Sequence, residues 1–333
     1  MKISVAIPET SLSDESLKSA KTRKASVIAR ACSIFGIDTI YVYKEGGRKS
    51  AKSDAGLLVT TLRYVETPQF LRKRLFPHLN NLKFAGMTLP LQIPSHATPK
   101  GIRRGQIREG VVVVARGGRF VDAGAERLLR YTGKAPPGRR ITVIIRATEP
   151  YVKYDEIKKE QIDQYRGYSV RSRASLQSLL AEWKGQTIIT SRKGRPVVIT
   201  ACGSRARRRG GDDIQDYMRH RHHHGCMLRD DSDLLVVFGS PERGVHDILG
   251  GGINSMSAAR ILNFFPGQQT ATVRLEEAIM GVLAMVNAEA GASGGEGDCS
   301  CAGGGDNGRS SSSSVGNGAH AGGNDGGAAG VGR

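Results

Sequence analysis

The sequence predicts an α/β protein with a parallel sheet, into which a small β-barrel is inserted. Three observations support this fold class. The segment from Ile3 to Tyr43 reads as strand, helix and strand, an order that pairs the two strands in parallel. A turn-rich stretch of short strands then interrupts the pattern. After it, an apolar run at Leu234–Gly239 is followed by glycine and proline loops and by a helical run, Thr272–Asn287.

The first unit begins with Ile3–Ile7, which reads as a buried strand. A helix over Glu15–Phe35 follows, because apolar residues recur there at helical spacing and a glycine stops the run. Thr39–Tyr43 is β-branched and aromatic, as expected of the next strand. Asp54–Tyr64 and Gln69–Leu75 then read as two helices that a Thr-Pro pair separates.

The character of the chain changes near Pro90, because Pro90, Pro94 and Pro99 break any regular element. Val111–Ala115, Arg119–Asp122 and Arg140–Ile145 are strand-like runs separated by glycine and proline turns. A basic β-rich segment of this size predicts a small barrel, for which the OB type, which binds nucleic acid on one face, is one common solution. We therefore predict an α/β domain at residues 1–92 and 165–288, an OB-like barrel at 93–164, and a disordered Gly/Ser-rich tail at 289–333.

The α/β pattern resumes after the barrel. Ser172–Trp183 reads as a helix, Thr187–Thr190 as a strand, Ser191–Arg195 as a basic turn and Val197–Thr200 as another apolar run. Leu234–Gly239 is the last predicted strand. Because ligand crevices form at the carboxyl ends of strands in α/β sheets, the loops that follow this strand predict a ligand cradle.

The net charge of +18 and the pI of about 10.0 indicate a polyanionic partner. Nucleic acid fits best, since lysine and arginine neutralise its phosphates, although a generally basic protein is the alternative. A set of basic side chains forms the candidate RNA surface: Arg72, Lys73, Arg74, Arg103, Arg104 and Arg108. The first three could equally be a solvated helix face. Few aromatic residues lie nearby, so contacts with the RNA backbone are favoured over base stacking.

The cysteines form no disulfide framework, and the first apolar segment is too short for a signal peptide. No apolar run approaches the roughly 20 residues of a membrane helix. We therefore expect a reduced, cytoplasmic protein that does not enter a membrane. His220–His224 and Cys226 suggest a metal site, but structural zinc needs a second, well-separated ligand pair. A flexible basic insertion without metal is the expectation there.

Three blocks match, in order, the motifs of a known superfamily: Ile28–Asp38 (IARACSIFGID), Leu235–Gly244 (LVVFGSPERG) and Asn263–Ala278 (NFFPGQQTATVRLEEA). The chain resembles the SPOUT superfamily of α/β-knot RNA methyltransferases. More closely, it is similar to the subfamily of uridine-N3 rRNA methyltransferases that carry an inserted OB-like domain. Thr67–Pro77 and Gly167-Tyr168 also resemble subfamily landmarks.

The resemblance implies a parallel sheet with a C-terminal trefoil knot, a homodimer, and S-adenosyl-L-methionine as the methyl donor. It also implies that two loops bind this cofactor, through Phe238, Gly239, Ser240, Gly244, Asn263, Phe264, Phe265, Pro266, Gly267, Gln268, Thr270 and Val273. The ordered trio of blocks carries this inference, because the glycine loop taken alone is a common pattern.

The same resemblance makes Arg30 and Arg23 the catalytic candidates. Arginine stays protonated, so its expected work is to clamp a phosphate or to stabilise a deprotonated pyrimidine. The alternative is that both are surface residues of an amphipathic helix. Asn263, Arg274 and Glu277 are weaker candidates, and helix capping or ion pairing accounts equally well for the last two.

Gln269 departs from the subfamily pattern, which has glycine at this position. If the position requires a positive φ, glutamine adds strain or narrows the site. Three function classes therefore remain open at this stage: an RNA methyltransferase, an RNA-binding protein of the same fold that has lost catalysis, and a ribosome-assembly factor that uses the basic surface.

Overall fold

The computed structural model describes residues 1–45, 51–97, 101–197, 228, 232–250 and 259–293. The Arg205–Arg209 and His220–His224 stretches, Cys226, and the chain after residue 293 lie outside these residues. The strands are β1 (Ile3–Pro8), β2 (Thr39–Tyr43), β3 (Ile107–Ala115), β4 (Gly118–Asp122), β5 (Leu129–Arg130), β6 (Arg140–Ala147), β7 (Lys153–Ile157), β8 (Ser169–Arg173), β9 (Gln186–Pro196), β10 (Leu234–Val237) and β11 (Ala259–Asn263). The helices are α1 (Lys18–Ile34), α2 (Ala51–Glu66), α3 (Gln69–Leu75), α4 (Leu176–Glu182), α5 (Val245–Leu249) and α6 (Leu275–Ser293).

A parallel sheet forms the centre of the fold. Within the described residues it has six strands in the order β11-β9-β10-β1-β2-β8. In the register of its middle strands, Val5 lies opposite Ile40 on one side and Val236 on the other. The prediction of an α/β fold with a parallel sheet is therefore confirmed.

Helices cover both faces of this sheet. Residues of α1, α2 and α6 pack on the face that carries Val5 and Val236, while residues of α4 and α5 pack on the face of Ala6 and Val237. Successive side chains of a strand point to opposite faces, so a strand covered on both sides must be apolar throughout. This requirement explains the uninterrupted run at Leu234–Val237, whose side chains are all fully buried.

A separate antiparallel sheet lies between β2 and β8 in the sequence. Its described strands follow the order β5-β4-β3-β6-β7 around a core that includes Val112, Val121 and Val143. Side chains link its two edge strands: the Tyr154 hydroxyl donates to the carbonyl of Arg130 at 2.7 Å, next to the pairing of the Tyr131 hydroxyl with Glu156 at 3.0 Å. The edges thus approach each other without a backbone ladder between β5 and β7.

A buried charge cluster joins the two sheets. Arg140 of β6 binds Glu66, at the end of α2, through both terminal nitrogens at 2.6 and 3.2 Å. Its Nε also donates to Glu109 of β3 at 2.9 Å, and Arg166 donates to the same carboxylate at 3.1 Å. Burial alone would raise the pKa of Glu109, but the charges and hydrogen bonds of Arg140 and Arg166 outweigh it and lower that pKa. The cluster thereby fixes an ionised carboxylate between the sheets.

Two element predictions were wrong, and the strands β5, β7, β8 and β11 were not predicted. Ser172 and Arg173 were predicted as part of a helix, but they end β8, and α4 begins at Leu176 after Ser175 caps it through the Ser178 N–H. The basic turn predicted at Ser191–Arg195 is the second half of β9, which pairs with the unpredicted β11. Among the described residues, no helix is long and apolar enough to cross a membrane.

Candidate functional site

A cavity of about 340 Å³ lies where β10 and β11 end, beside Thr190–Lys193 in the middle of β9. Buried apolar side chains form part of its lining: Phe238, Val245, Phe264, Leu275 and Val282. Charged and polar groups also line it, from Arg192, Lys193, Glu242, Arg243 and Asp247. A concave site with an apolar wall and a few convergent polar groups is the usual form of a small-molecule site.

The first loop of the cavity, Phe238–Gly244, folds back on itself. The Ser240 N–H donates to the carbonyl of Arg243 at 2.9 Å, and the Arg243 N–H donates to the Ser240 hydroxyl at 2.9 Å. A Cβ at Gly239 would lie 2.8 Å from the carbonyl oxygen of Arg243, so this tight fold requires glycine there. From β9, the Thr190 hydroxyl donates to the carbonyl of Val237 at 3.0 Å, which ties the start of the loop to the neighbouring strand.

The second loop runs from Phe264 to Val273 and is braced by β9. Asn263 donates to the carbonyl of Arg192 at 3.2 Å and accepts from the Phe265 N–H at 2.9 Å, while Arg192 donates to the carbonyl of Ala271 at 3.1 Å. The ring of Phe265 lies against Gly281 of α6, where a Cβ would come within 2.7 Å of it. Helix α6 therefore presses directly on the loop.

Nine of the residues predicted to bind a cofactor line this one cavity: Phe238, Gly239, Ser240, Gly244, Asn263, Phe264, Phe265, Gln268 and Val273. Pro266, Gly267 and Thr270 belong to the second loop but do not line the cavity. Sequence reasoning missed Thr190–Lys193, which also line it. The available signal was the predicted strand at Thr187–Thr190, whose carboxyl end meets that of β10 once the two strands pair in parallel.

Gln269 does not introduce the strain that its position suggested. Among the described non-glycine residues, a positive φ occurs at Gln92 and Arg116, so Gln269 is outside the left-handed region. Its exposed side chain donates to the carbonyl of Gly267 at 3.2 Å and does not line the cavity. Glutamine therefore fits here without narrowing the site.

The two arginines of α1 stand away from the cavity of their own chain. Arg30 is half-buried and donates to the carbonyls of Pro90 and Leu91 at 2.8 and 3.4 Å, and Arg23 is exposed. Neither lines the cavity. Arg274 and Glu277 make the capping and ion-pair contacts that were the alternative to a role in the site. Glu277 accepts the Arg274 N–H at 3.0 Å at the start of α6, and the Arg274 side chain pairs with Glu15 at 3.3 Å.

Comparison with known proteins identifies the kind of enzyme. A family model described as "Putative RNA methyltransferase" matches residues 2–286. The chain belongs to this family of RNA methyltransferases. It is 29% identical to a human 28S rRNA (uridine-N(3))-methyltransferase over 85% of this chain and 77% of that protein. It is 31% identical to the mouse protein of the same name over 59% of this chain and 58% of that protein. An uncharacterized protein of Halobacterium salinarum is 28% identical over 85% of this chain and 98% of its own length.

In an RNA methyltransferase, basic side chains can bind the substrate only if they point outward. Of the six residues predicted to bind RNA, some are exposed and others are held by contacts within the protein. Arg103, Arg104 and Lys73 are exposed. Arg74 is exposed but pairs with Asp122 at 3.0 Å. Arg72 donates to the carbonyls of Thr67 and Val65 at 2.9 and 3.1 Å and covers the ring of Tyr64. It therefore serves to close the end of α2.

Arg108 points inward. Its side chain is buried and donates to the carbonyls of Ala123 and Gly124 at 3.2 Å each, and also to the carbonyl of Gly101. Burial lowers the pKa of its guanidinium. Its Nε also donates to the Gln106 side chain at 2.9 Å. Since these hydrogen bonds are directed into the protein, we leave Arg108 out of the RNA surface proposed below.

Proposed function

We propose that this RNA methyltransferase transfers a methyl group from S-adenosyl-L-methionine to N3 of a uridine in rRNA. The observation that carries the proposal is the cavity at the ends of β10 and β11, in a chain with relatives named uridine-N(3) rRNA methyltransferases. When bound, this cofactor supplies a methyl group on a sulfonium leaving group, so the protein must mainly align donor and acceptor and exclude water.

The residues present fit such a cofactor. The cavity volume of about 340 Å³ lies in the range of ligand sites, which runs from about 300 to 1,000 Å³. Its apolar wall of Phe238, Phe264 and Val282 suits an adenine ring, and the polar groups at Ser240 and Asn263 suit the amino-acid end of the cofactor. In this proposal the predicted residues Pro266, Gly267 and Thr270 shape the second loop and do not contact the cofactor through their side chains.

We further propose a homodimer in which helix α1 of one subunit approaches the cavity of the other. The motivation is the separation of Arg30 and Arg23 from the cavity within one chain. The carbonyls of Pro90 and Leu91 hold the Arg30 guanidinium in place, and this arrangement suits a charge that stabilises a deprotonated uridine across the interface. Arg23 lies two helical turns earlier on the same helix, and we propose that it binds a phosphate of the RNA.

The remaining predictions extend this proposal. We propose that the C-terminal segment forms the trefoil knot of the SPOUT fold and that residues 93–164 form an OB-like barrel between the two parts of the α/β domain at 1–92 and 165–288. The tail predicted from residue 289 begins later, because α6 continues to Ser293, and we propose that residues 294–333 form a tail apart from the chemistry. Arg103, Arg104 and Lys73, which are exposed, are proposed to contact RNA phosphates in the cytoplasm.

Transfer of labelled methyl groups to rRNA fragments tests this function. Calorimetry should first show that the protein binds S-adenosyl-L-methionine, and the Arg30→Ala variant should retain this affinity while losing methyl transfer. Unchanged turnover in Arg30→Ala would remove Arg30 from the mechanism. Failure of the wild-type protein to bind the cofactor would refute the enzyme assignment itself.

A further inference from the structure

Glu45 stands behind the first loop of the cavity, two residues beyond the end of β2. Its side chain is 4% exposed, yet it does not line the cavity. Three donors converge on its carboxylate, two from the loop after β10 and one from the end of β1. The Ser240 hydroxyl approaches at 3.2 Å, the Arg243 guanidinium at 3.5 Å, and the Thr10 hydroxyl donates from the end of β1.

The partners of Glu45 are the residues that shape the loop. Ser240 and Arg243 line the cavity and form the hydrogen bonds that fold the loop around Gly239. The single proton of the Ser240 hydroxyl can be donated to Glu45 or to the carbonyl of Arg243 at 3.3 Å, while the oxygen accepts the Arg243 N–H. The carboxylate can therefore accept the hydroxyl proton while the same oxygen still accepts the Arg243 N–H that folds the loop.

A second contact from β2 reaches the same loop. The buried Tyr43 hydroxyl donates to the carbonyl of Phe238 at 2.7 Å. Phe238 begins the loop and Arg243 lies near its end, so Tyr43 and Glu45 hold the loop at two points. Because β2 itself is buried in the sheet, these contacts connect a rigid element to a surface loop.

We propose that Glu45 is a positioning residue that holds the Phe238–Gly244 loop in the shape that binds the methyl donor. This inference rests on the proposed function of the cavity. A charged acceptor fits the role because hydrogen bonds to ionised groups are about twice as strong as neutral ones. The Arg243 guanidinium, 45% exposed, is drawn over the loop by the same charge and donates to the carbonyl of Asp247 at 2.7 Å. The charge on Glu45 therefore sets the position of a cavity-lining cation.

The experiment compares Glu45→Gln with the matched control Glu126→Gln, which changes an exposed carboxylate in the segment between β4 and β5. Calorimetry measures the affinity for S-adenosyl-L-methionine, and hydrogen exchange measures protection of the amides at residues 239–244 without cofactor. Glu45→Gln should weaken cofactor binding about tenfold, the effect of losing one charged hydrogen bond, and should speed exchange in the loop. The KM for the cofactor should rise with kcat little changed, which a general loss of stability would not produce.

Equal cofactor affinity or equal loop exchange in Glu45→Gln and the wild-type protein would overturn the proposal. If the wild-type protein fails to bind the cofactor, the proposed function fails, and the exchange comparison still decides whether Glu45 holds the loop. If Glu45→Gln does not fold, hydrogen exchange of the loop in Arg243→Gln decides, because its exposed side chain tolerates replacement; cofactor affinity does not decide there, since Arg243 itself lines the cavity. In a folded double variant the two effects should be less than additive, since both remove one contact.

Discussion

Replacing Glu109 with glutamine tests the charge cluster that joins the two sheets. The Glu109 side chain is 1% exposed and accepts hydrogen bonds from Arg140 at 2.9 Å, Arg166 at 3.1 Å and Thr142 at 3.1 Å. Glutamine keeps the size of the side chain, but its amide nitrogen is a donor and faces another donor. Removing one partner of a buried pair costs about 3–5 kcal/mol.

We expect a loss near the lower end of that range, about 3 kcal/mol, because Arg140 keeps its second carboxylate, Glu66. For a chain of this size the loss corresponds to a fall in Tm of about 6–12 °C. Urea and thermal unfolding of Glu109→Gln measure the change, with Glu126→Gln as the exposed control. Unfolding of Glu109→Gln that matches the wild-type protein at neutral pH would refute the claim that the cluster joins the sheets.

Acidification independently tests the direction of the pKa shift of Glu109. Because the pKa of Glu109 is lowered in the folded protein, its contribution to the free energy of unfolding is present above the usual carboxyl pKa of 4.5 and is lost as the pH falls through the lowered value. The difference in stability between the wild-type protein and Glu109→Gln should therefore shrink as the pH falls below 4.5. A difference that stays constant on acidification would contradict this assignment.

Three further predictions concern α1 and α6. Lys24, 2% exposed, pairs with Asp14 at 2.5 Å and with Glu276 at 3.1 Å, so Lys24→Met should lower the free energy of unfolding by about 3 kcal/mol in a urea titration. Gly281→Ala should displace the Phe265 ring and weaken S-adenosyl-L-methionine binding about fivefold, while Tm changes little. The fivefold loss corresponds to about 1 kcal/mol of rotamer strain. Equal cofactor affinity of the variant and the wild-type protein by calorimetry would contradict this prediction. Burial raises the pKa of Cys32 to about 12, so iodoacetamide should leave this thiol unmodified at neutral pH until urea unfolds the chain, and fast alkylation of the folded protein would be the opposing result.

The sequence predicted those elements in which the spacing of apolar residues shows by itself which face is buried. The unit of β1, α1 and β2 and the apolar stripe of α6 follow from the spacing of their own side chains. Strand β8 was missed because Ser169–Arg173 is polar and only partly buried, and it becomes a strand through its ladder with β2. The second half of β9 was taken for a turn because it is polar and because its register with β11 breaks between Ile189 and Arg195, where pairing resumes with Leu262.

The candidate site likewise has parts that local sequence patterns predicted and parts that they missed. The two loops after Val237 and Asn263 were predicted because their glycines and prolines mark them. The contribution of Thr190–Lys193 was missed because the chain gives no local sign that β9 lies beside β10. Composition likewise gives the number of arginines but not their direction, so Arg108, which binds the backbone inside the antiparallel sheet, was grouped with exposed residues.

Mass spectrometry of rRNA nucleosides, from cells with and without this protein, tests the central claim most directly. We predict that one N3-methyluridine position in rRNA loses its methyl group when the protein is absent, regains it with the wild-type chain, and does not regain it with Arg30→Ala. An unchanged level of N3-methyluridine at every rRNA position, with and without the protein, would contradict the proposed function.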